Sequence, residues 1–175
     1  MIACRNISIW IAGLVTAIHL GGFATAEPLH DYQKERLVGE WFQIAQTPSA
    51  FEHDCHAVTV QIAEREDTRM TLKMSCRKGS VSGPVLAIDS ILVELDPGNF
   101  GMRFVRFRQF GDVSVHVLWQ AEDDSMAVLG SPTGQIGWVL SKSARVDLKT
   151  LEMGKEKLVE AGYAENAIRE VRHAQ

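Results

Sequence analysis

Charge of one sign is what this chain lacks first. It carries 18 basic and 22 acidic residues among 175, a formal net charge of −4. A protein that grips nucleic acid or an anionic membrane concentrates positive charge. Nucleic acid is therefore not expected as a partner, and membrane contact is expected to be transient at most. Long apolar runs are missing too. The longest, Ile9 to Phe23, is interrupted by His19 and by glycines and falls short of the roughly 18 to 20 residues of a membrane span. Cysteine is scarce, with three residues and no C-x-x-C unit. Nucleophile elbow, P-loop, H-E-x-x-H and dinucleotide fingerprint are all absent. No catalytic residue, metal ligand or cofactor is assigned.

What is present begins with an export signal. Met1 to Ser8 carries one positive charge, on Arg5, and the interrupted apolar stretch follows. Ala24-Thr25-Ala26 then precedes the polar Glu27. That order is the order of a cleaved secretory leader over residues 1–26, although an uncleaved amphipathic anchor is the competing reading. Cleavage removes Arg5 and no acid, so 17 basic residues face 22 acidic ones and the net charge becomes −5. Cys4 leaves with the leader. Cys55 and Cys76 remain, and no cysteine stands at the cleavage site to take a lipid. A soluble periplasmic or secreted protein with a paired Cys55 and Cys76 is expected. Nothing in the sequence sets an oligomeric state.

After a polar and loose N-terminal extension over 27–36, the domain is expected to span 37–173. Eight strand candidates follow one another: 37–45, 55–62, 70–77, 85–95, 100–107, 113–119, 126–129 and 136–140. Most are joined by short polar or glycine-containing turns, the pattern of antiparallel hairpins. Val113, Val115, Val117 and Trp119 give the cleanest alternation, which puts them on one face. Only then does the period lengthen. Leu148, Leu151, Leu158 and Val159 lie roughly on one side of a helix over 146–159, with Gly162 beyond its end. Residues 168–171 could add a last strand. Strands first and one helix after them is not an α/β order. A closed barrel and a two-sheet sandwich both fit this period.

The spacing of the two cysteines adds a constraint. A hairpin centred on Arg65-Glu66 puts Cys55 and Cys76 opposite each other. It also puts Ala57, Thr59 and Gln61 on the face of Met70, Leu72 and Met74, with Val58, Val60 and Ile62 on the other. One strand is then out of phase, and a bulge between Ala57 and Met74 would repair it.

Leu37-Val38-Gly39-Glu40-Trp41-Phe42-Gln43-Ile44-Ala45 resembles the G-x-W opening of the lipocalin family. Its G-x-W-[YF]-x-I-A form is similar to the bacterial outer-membrane lipocalin and apolipoprotein D group. Phe51 stands where that group has a Phe. Ala127-Val128-Leu129-Gly130-Ser131-Pro132 and Ile136-Gly137-Trp138-Val139-Leu140-Ser141-Lys142 are similar to the family's last two barrel strands. The helix, Gly162-Tyr163 and Ile168-Arg169-Glu170-Val171 keep the family order. The resemblance chooses an all-β fold: an eight-stranded up-and-down antiparallel barrel with a C-terminal helix and a short final strand. It further implies barrel closure by Gly39, Trp41 and Lys142, where Lys142 stands in place of the family's arginine. A disulfide Cys55–Cys76 agrees with the cysteines the group often holds in these two strands. The tethering cysteine of the outer-membrane members is absent.

The function so implied is extracytoplasmic binding or transport of a small hydrophobic ligand: a fatty acid, a phospholipid fragment or an isoprenoid. Leu72, Met74, Leu86, Ile88, Phe104, Val115, Val117 and Trp119 are the cavity candidates. The alternatives are a small isomerase or hydratase acting on a lipid or polyene within the barrel, and a ligand-free interaction protein. His53, Asp54, Cys55 and His56 alternate in direction along a strand, which reads as a polar rim rather than a metal site. His116 opposes the valine row, as a surface group or a lone polar group in the cavity. Arg103, Arg106 and Arg108, interleaved with Phe104, Phe107 and Phe110, suit a solvated outer face or a mouth that receives an anionic head.

Overall fold

The computed structural model describes residues 26–50 and 52–174. The expected leader, but for Ala26, and Phe51 lie outside the described residues. A single helical turn, α1 (Lys34–Leu37), leads into β1 (Gly39–Thr47). Then come β2 (Cys55–Glu64), β3 (Met70–Lys78), β4 (Val85–Asp96), β5 (Asn99–Phe104), β6 (Asp112–Gln120), β7 (Met126–Gly130) and β8 (Gly137–Ser141). Helix α2 (Leu148–Glu160) and the two-residue β9 (Arg169–Glu170) complete the order.

Each of β2 to β8 pairs antiparallel with its neighbour in sequence. Strand β1 closes the ring, pairing Gly39–Phe42 with β2 and Phe42–Thr47 with β8. The fold is therefore an eight-stranded up-and-down barrel, not a sandwich, and closure leaves the ring no free sheet edge. Strand β9 lies outside it, on Ala45 and Gln46. Beyond Phe42 the edge of β1 passes from β2 to the C-terminal segment. Val171 N–H donates to Ile44 O (2.9 Å), and Ala57 N–H to Arg172 O (2.6 Å).

Alternation sorts side chains into two cores. Inside the barrel, Ile62, Leu72, Leu92, Phe100, Met102, Val115, Val117, Leu129 and Leu140 are buried together. Outside it, Ile44, Met126, Val128 and Val139 meet Leu158 of α2, with Tyr163 and Ile168. The Asp147 carboxylate caps α2 by accepting from Thr150 N–H (2.7 Å).

The β2–β3 hairpin corrects the register expected from cysteine spacing. Glu64 faces Met70 and Val60 faces Met74, so the turn lies over residues 65–69. Cys55 faces Lys78, not Cys76. The register shifts between His56 and Thr59, and Ala57 sits there with φ +47°. This bulge brings Cys55 to the side of Val58, Val60 and Ile62, all buried with Cys76. The expected bulge at Ala57 is thus present, and the two cysteines form the disulfide with Cα atoms 5.5 Å apart.

The N-terminal segment is anchored, contrary to the loose extension expected. Leu29 N–H donates to Val117 O (2.7 Å), Tyr32 packs edge-on against Phe100, and Arg36 reaches Ala121 O (2.6 Å) and Asp124. Leu37, where this segment joins the domain, buries almost completely against the barrel.

Candidate ligand-binding site

The two ends of the barrel differ. At one, Trp41 is buried, and its indole N–H donates to Leu37 O (2.8 Å), which ties the ring to α1. Lys142 Nζ lies 3.5 Å from the centroid of the same ring. Gly39 has φ +125°, and a Cβ there would come 3.0 Å from Lys142 Nζ. At the other end lie the β1–β2, β3–β4, β5–β6 and β7–β8 connections.

An interior cavity opens under the β1–β2 and β7–β8 connections. Its free volume is about 20 Å³, room for one water-sized group. Leu72, Met74, Ile88, Met102, Phe104, Ile136 and Trp138 supply apolar wall, while Ser49, Glu52 and Ser90 add polar atoms. Register explains the wall, since Leu72, Ser90 and Phe104 face one another across β3, β4 and β5, and Met74 faces Ile88.

Glu52 is the unusual member, an acid 2% exposed. Trp138 Nε1–H donates to its Oε1 (2.6 Å), as does Gln43 Nε2–H (3.2 Å). The Ser49 hydroxyl donates to Oε2 (2.6 Å), and Ser49 N–H lies 3.4 Å from that oxygen. Burial pushes the carboxyl above the ordinary glutamate range, against the pull of these donors. Gln43 Nε2–H also donates to Gln46 Oε1 (2.5 Å). Gln43 Oε1 and Ser90 Oγ are buried without a hydrogen-bond partner.

Of the sequence's cavity candidates, Leu72, Met74, Ile88 and Phe104 line this space. Val115 and Val117 are fully buried in the same inner core, away from the cavity wall, and Leu86 packs against that core half-buried. Trp119 is a correction. The register shifts between Val117 and Trp119, so Trp119 faces Val128 and packs in the outer core, with Lys157 Nζ 6.0 Å from its ring. One extra residue, Leu118, breaks the alternation that had aligned Trp119 with the valines.

His116 corrects another expectation. It points out of the barrel yet is covered, its Nδ1 2.6 Å from Ala26 O and its Nε2 3.4 Å from Ser114 Oγ. The N-terminal segment lies over it. Arg103 pairs with Asp112 (2.6 Å), and Arg106 and Arg108 are exposed. His56 stands 3.6 Å from Asp54. Among the described residues no group of three or more His, Cys, Asp or Glu side chains is placed to hold a metal ion. Nor is any helix among them long and apolar enough to cross a membrane.

Sequence reading missed Glu52, Ser49, Gln43 and Ser90. Ser90 was within reach, because Ile88, Ser90 and Leu92 share a phase. Gln43 follows Trp41 in the same alternation. Glu52 carried no signal, being one acid in a loop of no period.

Residues 33–173 match the lipocalin-like domain family. No curated protein matches the sequence. Among solved structures, lobster apocrustacyanin A1 is similar at 12% identity, with 82% of this chain and 81% of that one covered and a TM-score of 0.63. The major allergen Per a 4 from cockroaches is similar at 11% identity, over 86% and 96% of the two chains, with a TM-score of 0.64. Apocrustacyanin C2 is similar at 13% identity, over 80% and 79%, with a TM-score of 0.61. At such identities the likeness is one of fold. With 141 residues of a barrel-forming chain inside the family's match, this protein belongs to the lipocalin-like domain family.

Proposed function

We propose that the protein binds a small hydrophobic molecule inside the barrel, outside the cytoplasm. The observation that carries this is the interior cavity, whose wall is apolar except at Ser49, Glu52 and Ser90. Apolar burial, at about 25 cal/mol per Å², would supply most of the affinity, and the few polar groups would orient the ligand. A tail larger than one methyl group needs Met74 and Met102 to move. Methionine is the side chain best suited to that, being unbranched and free about three bonds. Gly39, Trp41 and Lys142 act as the closure of the far end, and Leu72, Met74, Ile88 and Phe104 as ligand contacts. The G-x-W-F-x-I-A opening supports a place near the bacterial outer-membrane and apolipoprotein D group, without the lipid tether. The leader-like residues 1–26 support a periplasmic or secreted setting.

The small free volume favours a second reading, a barrel filled by its own side chains that serves as an interaction protein. One experiment separates the two. The protein is purified from its native compartment and extracted for mass spectrometry, and displacement of a fluorescent apolar probe is measured. A co-purifying amphiphile, or saturable displacement, supports binding. An empty extract together with no probe binding supports the filled barrel.

A further inference from the structure

The surroundings of Glu52 specify a kind of ligand head. Four donors converge on its two oxygens: Trp138 Nε1–H, Gln43 Nε2–H, the Ser49 hydroxyl and the Ser49 amide. The indole and the backbone amide can only donate, so this ring suits an ionised carboxylate. Yet no cation pairs with Glu52 among the described residues, and its burial disfavours the charge. The site has every neutral donor it can use and lacks a positive charge. Ser90 Oγ, on the wall of the same cavity, and Gln43 Oε1, on the amide that touches Glu52, are buried acceptors without partners.

A primary ammonium has one positive charge and three N–H donors, and it accepts nothing. It would supply the charge that the neutral donors lack, taking the place of the longest of them, the Ser49 amide at 3.4 Å, and would offer the idle Ser90 oxygen a donor. A fatty-acid carboxylate would bring a second negative charge to a buried negative one and add only acceptors. We propose that the ligand of this barrel is an alkyl amine, its ammonium seated on Glu52 and its chain along Leu72, Met74 and Phe104. This deepens the binding function proposed above and rests on it. It also reverses the choice of a fatty acid that the family resemblance suggests.

The test is competition against N-phenyl-1-naphthylamine with decylamine, decanol and decanoate, which share a chain length and differ in head group. A charge-assisted hydrogen bond in place of a neutral one should let decylamine displace the probe at about tenfold lower concentration than decanol. Decanoate should be weakest. In Glu52→Gln the decylamine advantage over decanol should fall to within about twofold. The ranking in the unaltered protein stands whether or not that variant folds. Decanoate matching or exceeding decylamine overturns the proposal, as does an unchanged ranking in a folded Glu52→Gln. If the probe and decanol bind but decylamine has no advantage, the head-group assignment fails and apolar binding survives. If the probe and all three competitors fail to bind, both fall.

Discussion

Lys142 Nζ stands 3.5 Å from the centre of the Trp41 ring, a cation–π contact that joins the residue after β8 to β1. Packing against the indole holds the Lys142 ammonium below its ordinary value, while Asp124 pulls the other way. A cation over tryptophan contributes about 0.5 to 2 kcal/mol, more where water is excluded. Lys142→Ala should lower the unfolding free energy by about 1 kcal/mol. Lys142→Arg should keep or raise stability, because a guanidinium stacks on the ring as a plane. Urea melts of the three proteins decide this. A Lys142→Ala midpoint equal to that of the parent would sink the closure role given to this contact.

The Cys55–Cys76 disulfide ties the start of β2 to β3, just where the bulge at Ala57 bends β2 away from β1. Both cysteines are buried, so their replacement by alanine introduces no polar atom. The bridge closes a loop of 21 residues, for which chain entropy gives about 3 kcal/mol. The double variant Cys55→Ala, Cys76→Ala should lose about 2 to 4 kcal/mol of stability. Thermal melts under oxidising conditions test it, and adding a reductant should move only the parent protein. Equal melting of parent and variant would show that the hairpin is held by packing alone.

These two contacts mark how far a sequence can be read. Trp41 and Lys142 are 101 positions apart, and no periodicity links them; the family resemblance joined them. Spacing pairs the cysteines, but the register behind that pairing is off because the turn centres on Asp67 rather than on Arg65-Glu66. The eight strands and their order were legible, since alternation and turn chemistry are local. Trp119 was not, because a single irregularity at Leu118 exchanges inside for outside. Glu52 escaped for a different reason. Its burial depends on the Trp138 and Gln43 side chains of two other strands, and composition cannot announce such a meeting.

Gly154, in the middle of α2, faces the barrel wall. A Cβ there would lie 2.4 Å from Val139 Cγ1 and 3.0 Å from Met126 Sδ. In a free helix alanine would be better than glycine by about 1 kcal/mol. Here the Val139 methyl group is fully buried and branched close to the strand, so the helix must move outward and lose contact along Leu158. Overpacking of this kind costs about 1 to 3 kcal/mol. Gly154→Ala is therefore expected to destabilise, with a net loss of up to about 2 kcal/mol. A rise in melting temperature would mean that helix propensity outweighs the wall contact and that α2 is loosely docked.

Glu52 gives the protein a pH dependence whose sign can be fixed. Burial raises its carboxyl pKa in the folded state, with Ser49, Gln43 and Trp138 opposing. Between the ordinary glutamate value and that raised value, the folded chain holds a proton the unfolded chain has released. Stability then falls with rising pH, because the unfolded state binds fewer protons. The contribution is fully present below the ordinary glutamate value and is lost as pH climbs through the folded one. Glu52→Gln cannot release a proton, so its stability should decline less over this window. Denaturant melts of parent and variant at several pH values, without ligand, measure the difference in slope. Parallel curves would mean that Glu52 titrates alike in both states and is not desolvated, which would remove the physical basis for its choice of a cationic head. If instead the curves diverge as expected and decylamine flattens the parent's decline, the ammonium is compensating the carboxylate that burial leaves alone.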